Sequence, residues 1–476
     1  MTSLARAGLR DQVMHVNSGI PESGLYGAAK PVGDGSKVPW RLSPEPVSIS
    51  EADARTLQEL GQHLYRFTEA SNRLYLDSVR GNQPGWIAGL LDKGKSEQVI
   101  ELGRLNRLRS RLPVVIRPDL MAVGDGEFVA TELDSVPGGI GLLDALTVRY
   151  RDIGHEILGN ECGLVLEMAR ALVAESGQDD PFVAVVVSDE SEMYRAEMNW
   201  VGERLNQFGV RAVTVHPRQI DLEGGSIVAR LDDQVEKVHV IYRFFELHDL
   251  KNIPNVDLML HAMKRKRVVM TPPPKPQLEE KMMMAFFHHP ELAEFWAREL
   301  GEESLAVLRR TLPPTWIVDP TQMPAFAAIS PEFQTANRTI RRWDDLLDMT
   351  QKQRRLVLKP SGFSELAWGA RGVTIGHDVK IEEWNEAVQT ALSGFDAGPY
   401  IVQHYHASQA MPARYYDFDD EEVKEFTARA RYSPYYFVQN GEARLAGVLA
   451  TACPVSSKVL HGMPDAVMAP VQVDRS

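Results

Sequence analysis

Apolar positions fall at helical spacing soon after Ser50: Leu57, Leu60, Leu64, Phe67 and Leu74 mark one face of a helix. Ser50, with Asp53 three residues on, approximates a capping box and places the start of that helix. The stretch Ser96 to Leu112 predicts further helix, with Leu102, Leu105 and Leu108 on its core side. Residues 161–176 predict another. Residues 1–48 are rich in Gly, Pro and Ser and show weak periodicity, so they are expected to form an irregular arm.

The period changes to two at PVVIRPDLMAVGDGEFVATELDS. An apolar run leads into Asp125-Gly126, a dipeptide suited to a tight hairpin turn, and a second run leads back. The next segment, 178–275, alternates short apolar runs with helical pattern. FVAVVVSD reads as a buried parallel strand. SEMYRAEMNWVGERLNQFG is a helix ending at Gly209, and RAVTVHP, KVHVIYRFF and KRVVMTPP are further strands. This is the pattern of a small doubly wound α/β unit.

TPPPKPQ is a stiff connector, and LEEKMMMAFF is expected as a helix whose methionines pack in the core. LPPTWIV is extended. Residues 354–376 read as strand, polar loop and strand, and 381–393 as helix. GPYIVQHYHA is a strand, and TARARYSPYYFVQNGEARLAGVLATA is a hairpin turning at Asn440-Gly441.

Composition narrows the function classes. A chain of 476 residues with 44% hydrophobic content has room for two or three structural units. The net charge of −13 argues against a nucleic-acid partner that rests on a basic surface. KRKR at 264–267 precedes the apolar VVM and reads as a strand flank. Two distant cysteines, Cys162 and Cys453, give no disulfide framework and no thiolate metal site. MTSLARAGLR lacks the apolar stretch of a signal peptide, and no run approaches the length of a membrane span. A cytoplasmic protein without a membrane partner is the expectation.

The candidate chemistry is concentrated in the first hairpin. Side chains two apart share a strand face, so Glu132 and Asp134 face one way, as do Arg117 and Asp119. Paired across the turn, they would gather three carboxylates and a guanidinium. Such hard oxygens suit Mg²⁺, although period-two charge also marks a solvated strand face. Lys359 ends the apolar strand LVLK and precedes Ser361 and Gly362, as a phosphate-binding lysine beside loop N–H groups would. The alternative is a surface lysine at a strand end. The sequence has no Walker A loop, no GxGxxG at a βα turn, no HExxH and no GxSxG. His404 and His406 share a face and read as metal ligands or, more simply, as paired exposed histidines. His288 and His289 lack a metal-binding frame. Arg429 and Arg431 share a face of the last hairpin, where they would hold an anion or a structural ion pair.

In this order the motifs resemble the circularly permuted ATP-grasp family that includes glutathionylspermidine synthetase-like proteins. The resemblance spans about residues 110–465. IRPD…TELD is similar to that family's Arg-x-Asp…Glu-x-Asn motif, which implies Asp119, Glu132 and Asp134 as Mg²⁺ ligands and Arg117 facing the transferred phosphoryl group. LEEKMMMAF and LVLKPSG resemble its two nucleotide-lysine segments and imply Lys281 and Lys359, with Ser361 and Gly362 in the phosphate loop. PYIVQHYHAS resembles the adenine-side hinge and implies Gln403. The chain departs from the family in three places: Asp134 stands for Asn, His404 for the hinge Glu, and a longer, glycine-poor phosphate loop has Arg371 as the residue that would compensate.

The resemblance implies an ATP-grasp-like α/β fold, circularly permuted, with a small doubly wound pre-ATP-grasp unit and an N-terminal helical region. The expected division is an arm at 1–48, helices plus the metal hairpin at 49–177, the α/β unit at 178–275 and the nucleotide-binding subdomains at 276–476. The implied activity is an ATP- and Mg²⁺-dependent ligase that joins a small carboxylate to an amine through an acyl phosphate. A nucleotide-binding sensor or scaffold is the competing class. A metal-dependent hydrolase would leave Lys281 and Lys359 unexplained.

Overall fold

The computed structural model describes residues 8–18, 30–31, 37–38, 40–134, 136–232, 234–320, 329, 332–367 and 371–474. Within the arm expected to be irregular, Leu9–Ser18 is a helix. It is docked through fully buried Val13 and Val16, with His15 Nε2 3.1 Å from Asp152 Oδ2. Much of the rest of the arm lies outside the described residues.

The first long helix runs Glu51–Val79. Ser50 Oγ accepts from the Asp53 amide at 3.1 Å, and Asp53 reciprocates, which completes the capping box. The same cap holds the turn of the next hairpin. Asp53 Oδ1 accepts from the Gly126 amide at 2.9 Å, and Thr56 Oγ1 donates to the Gly126 carbonyl at 2.9 Å. The helix expected over Ser96 to Leu112 stops at Arg104. Leu105 takes an extended ψ of 120°, and a short 3-10 turn follows. Gly103, the weakest helix former in that run, packs against Gln277, where a Cβ would meet Oε1 at 2.6 Å.

The chain builds three larger sheets. One has seven strands, in the order Val47–Ile49, Val467–Val473, Glu442–Pro454, Glu422–Gln439, Val115–Gly124 and Glu127–Asp134, with Ala410–Asp417 also on the long strand. All its pairings are antiparallel except that of the first two. Asn440 and Gly441 turn the late hairpin with φ of 50° and 84°, as a tight hairpin turn requires. The second sheet is parallel, ordered Val269–Thr271, Val240–Phe244, Val183–Val187, Ala212–Val215. Strand order therefore reverses between its first and third strands, as in doubly wound folds. A three-stranded antiparallel meander over 220–237 joins this unit. Its short, half-polar strands gave no distinct period. The third sheet is antiparallel, ordered Thr315–Ile317, Tyr400–His404, Leu356–Pro360, Thr374–Ile375, and helix Ile381–Ser393 backs it through Trp384 and Val388.

Three apolar clusters back the sheets, and the parallel sheet gives one face, with Val185 and Tyr242, to the largest and the other, with Val186 and Ile241, to the second. Tyr436 crosses from the large sheet to the long helix and donates to the Leu57 carbonyl at 2.6 Å. Gly61 makes room for its ring, since a Cβ there would lie 2.3 Å from Tyr436 Cδ1. Among the described residues no helix is long and apolar enough to cross a membrane.

Lys275, in the connector after the parallel sheet, is buried at 1% exposure. Its Nζ donates to Asn72 Oδ1 at 2.8 Å and to the Arg109 carbonyl at 3.2 Å, with no carboxylate beside it among the described residues. Burial lowers its pKa to about 7. A lysine with a lowered folded-state pKa releases its proton earlier in the folded chain than in the unfolded one, so it adds stability as pH rises through the interval from about 7 to about 10.4. Thermal melts of wild type and Lys275→Met at pH 7 and 9.5 check this. The wild type should gain on the variant by on the order of 2–3 kcal/mol between the two conditions. A pH-independent difference would contradict the buried, counterion-free assignment.

Candidate active site

The first hairpin pairs Arg117 with Asp134 and Asp119 with Glu132 directly across its strands, so all four lie on one face. The register shifts just after Asp119, a bulge that re-aims the strand end. Arg117 lies 3.0 Å from Asp134 Oδ2 and 3.4 Å from Asp119 Oδ1, and its third contact is the Gly138 carbonyl at 3.3 Å. Asp119 also meets Arg431 at 3.2 Å and accepts from Ser433 Oγ at 2.9 Å. Burial pushes the Asp119 carboxyl up, but Arg117, Arg431 and Ser433 outweigh it and hold the group below the usual carboxylate range. Asp134, facing the other carboxylates, is raised by burial.

Lys281 stands in the turn before helix Met283–His288, not inside a helix as its segment suggested. Its Nζ lies 2.7 Å from Glu132 Oε1. Burial opposes its charge, yet Glu132 and Asp134 raise its pKa. The turn is fixed by Ser361. The Lys281 amide donates to the Ser361 carbonyl at 2.7 Å, the Met282 amide to Ser361 Oγ at 2.9 Å, and Ser361 Oγ to Glu280. Gly362 permits this approach, because a Cβ there would lie 2.6 Å from the Glu279 carbonyl. Ser361 therefore sits behind the lysine turn, and Gly362 lines a side pocket of about 70 Å³. Lys359 Nζ donates to the Thr131 carbonyl at 2.6 Å. Burial, then nearby Lys281, lowers its pKa to about 8.

Arg117, Asp119, Glu132, Asp134, Lys281 and Lys359 line one cavity of about 430 Å³. Gln403 is also in its wall, with its amide committed to Thr315 Oγ1 at 2.8 Å and Met284 Sδ at 3.4 Å. His404 and His406, expected to be exposed, are half-buried cavity residues, and His404 packs edge-on against Trp316 and Phe333. Arg371 lies outside the lining. It is half-exposed, 3.7 Å from Glu190. Arg429 and Arg431 both reach the cavity, and among the described residues each leaves a buried Nε without a hydrogen-bond partner, as does Nε2 of His406. Unsatisfied buried donors of this kind are uncommon in a finished wall.

Among the described residues no three His, Cys, Asp or Glu side chains converge into a metal nest. The hairpin oxygens turn toward Arg117, Arg431 and Lys281 instead. Their donor type still suits Mg²⁺, which takes one or two carboxylates together with phosphate oxygens. Glu132 and Asp134 are the accessible pair, with side chains 36% and 31% exposed against 7% for Asp119.

The parallel sheet contributes wall residues that pattern reading did not single out. Tyr194, Phe244 and Glu246 reach the cavity from its carboxyl edge. The available signal was a carboxylate two residues past a buried strand, at the edge where open α/β sheets bind ligands. Glu246 is pushed upward by burial and then by Glu279.

No protein-family model matches the sequence, and no curated protein matches it. Among solved structures, the chain is similar to a glutathione synthetase-like effector from Globodera pallida in its apo form. The TM-score is 0.56 at 11% identity, over 99% of both chains. This likeness shows the fold, a mixed α/β architecture shared with that protein. A proposed gamma-glutamylcysteine synthetase from Methylobacillus flagellatus aligns over 83% of this chain and 84% of its own, with 12% identity and a TM-score of 0.39.

The depressed pKa of Lys359 has a measurable consequence. Only a neutral amine is acylated, so acetic anhydride should modify Lys359 with a half-maximal rate near pH 8, where ordinary lysines near 10.4 remain protonated. Peptide mass spectrometry across a pH series reads this. A profile indistinguishable from that of exposed lysines would remove Lys359 from a buried, cation-flanked setting.

Proposed function

We propose that the chain is a circularly permuted ATP-grasp ligase that joins a carboxylic acid to an amine and releases ADP and phosphate. The observation that carries this reading is the convergence, on one cavity, of two buried lysines, Arg117 and the hairpin carboxylates from segments more than 200 residues apart. The fold likeness to a glutathione synthetase-like effector supports it. Permutation is supported by the strand Val115–Gly124, from the 49–177 segment, which completes a sheet made mostly of strands from 276–476.

In this reading Lys281 and Lys359 bind the nucleotide phosphates, and the hinge strand at Gln403 lies on the adenine side. Arg117, held by two carboxylates, presents its charge to the γ-phosphoryl group. An oxygen of the substrate carboxylate bonds to the γ-phosphorus as the bond to ADP breaks, which gives an acyl phosphate. The amine nitrogen then bonds to the acyl carbon, phosphate leaves, and the nitrogen loses a proton. Glu132 and Asp134, with Asp119 behind them, would hold Mg²⁺, which neutralises phosphate charge when bound. The protein's part is positioning and electrostatic stabilisation in a partly dry cavity. The sensor reading has one observation in its favour: Asp119, Glu132 and Asp134 each already have a cation partner.

Incubating the protein with Mg-ATP, hydroxylamine and a carboxylic-acid pool tests both. The ligase reading expects ADP and hydroxamate that depend on an acid. AMP with pyrophosphate would overturn it, and Mg-ATP binding without any acid-dependent turnover would favour the sensor. Glu132→Gln should keep the fold and cut acid-dependent ADP release by on the order of 100-fold or more, with Asp134→Asn milder. Near-normal turnover in Glu132→Gln would falsify the metal assignment.

A further inference from the structure

Helix Ile140–Asp152 starts shortly after the first hairpin, and its N-cap is Gly139, at φ 93°. A glycine has no side chain to satisfy the first amides of a helix. The cap comes from elsewhere in the chain. Glu197, on helix Arg195–Gln207, is fully buried, and its Oε1 accepts from the Gly141 amide at 2.9 Å. Glycines make room for this contact: a Cβ on Gly141 would lie 2.8 Å from Glu197 Cγ, and one on Gly138 would lie 2.4 Å from Tyr194 Cε1. Packing alone would be served by an apolar side chain, since a buried carboxylate is costly. What the carboxylate adds is a strong acceptor at a helix N-terminus.

The turn that Glu197 holds carries a contact of the site. The Gly138 carbonyl accepts from Arg117 Nη1 at 3.3 Å and from the Tyr435 hydroxyl at 2.6 Å. The ion-pair partners of Arg117, Asp119 and Asp134, lie on its own hairpin, so Gly138 ties the guanidinium to a point beyond those strands. The titratable groups facing Glu197 are Arg117 from strand Val115–Gly124, Tyr194 from the turn before its own helix, Tyr242 from the parallel sheet and Tyr435 from the long strand. Burial holds the three phenols above their ordinary value, so Arg117 is the charge among them. Burial also pushes Glu197 up to about 7, against the pull of the Gly141, Gly139 and Leu142 amides and of Arg117. It is a carboxylate on the alkaline side of that value and a neutral acid, hence a weaker acceptor, on the other.

We infer that Glu197 is a positioning residue: as a carboxylate it fixes the Gly138–Gly141 turn, and through the Gly138 carbonyl it sets the direction of the Arg117 guanidinium in the cavity. The placement of Arg117 stands without the ligase reading, and only its use on a phosphoryl group rests on that reading. Proton uptake by Glu197 loosens the turn, and Arg117 loses its alignment with it.

The Arg117 side chain reports this without any substrate. The full chain, with isotope-labelled arginine, is followed by guanidinium-carbon NMR across neutral pH, and Arg117→Lys identifies the signal by its loss. In wild type that signal should move with a midpoint near pH 7. Glu197→Gln, which keeps the shape and cannot ionise, should lose the step. Glu197→Asp, one methylene shorter, should keep a step at a displaced midpoint. A wild-type signal that does not titrate near neutrality, a step that survives in folded Glu197→Gln, or an unmoved midpoint in Glu197→Asp would each overturn the inference. Turnover separates it from the ligase reading. Under that reading Glu197→Gln should lower kcat for acid-dependent ADP release by on the order of 10–100-fold, as misplacement of a positioned group does, with the KM for ATP unchanged. An unaltered kcat beside a lost NMR step would remove Arg117 from phosphoryl transfer and leave its positioning by Glu197 standing.

Discussion

The strand Glu422–Gln439 is 18 residues long, and one of its edges serves two partners end to end. Its first half pairs with Ala410–Asp417, and its second half with Val115–Gly124, more than 300 residues earlier in the chain. The site depends on that second pairing. It sets Arg431 opposite Met121 and brings its guanidinium to Asp119. It also lays the charged end of the first hairpin over the strand that carries Lys359, whose Nζ reaches the Thr131 carbonyl. Loop closure over such a separation is entropically costly. It is offset by burial of apolar side chains, Leu120 and Tyr436 among them, in the largest of the three cores. The long helix adds a second anchor by holding the hairpin turn with its own N-terminal cap.

The cavity lies where the three sheets meet, and each contributes a different chemistry. The large sheet supplies the hairpin carboxylates with Arg117, Arg429 and Arg431. The third sheet supplies Lys359 and Gln403. The parallel sheet supplies aromatic rings and Glu246. Buried like charges so close together are tolerated because most are paired. Lys359 makes no ion pair among the described residues and donates to a backbone carbonyl, and burial lowers its pKa. A low-dielectric setting strengthens each of these interactions relative to water, so small changes in the wall alter the charge state of several groups together.

Much of this was legible in local pattern. The hairpin at Asp125-Gly126, the capped helix after Ser50, the late hairpin at Asn440-Gly441 and the four parallel strands all rest on short-range signals, namely turn chemistry, capping and period. Legibility failed where long-range packing set the outcome. Leu105 kept the helical spacing of its neighbours, yet the helix ends there as the chain packs against the connector. Ser361 and Gly362 looked like phosphate-loop residues. What local pattern did not show is that Ser361 fixes the Lys281 turn and that Gly362 allows close approach to Glu279. Arg371 looked like a site residue, and it lies on an exposed ion pair outside the cavity.

The amino-acid sequence by itself determined which residues share a strand face, because side-chain alternation is a property of the backbone. It thereby determined that Glu132 and Asp134 share a face, and that Arg117 and Asp119 do. It did not determine what those charges meet. Lys281, Arg431 and Glu246 come from segments with no local reason to be near the hairpin, and only the tertiary structure brings them to one cavity. Charge pairing and burial are sums over neighbours in space, so the matched carboxylates, the depressed lysine and the raised Glu246 emerge only once the three sheets are packed.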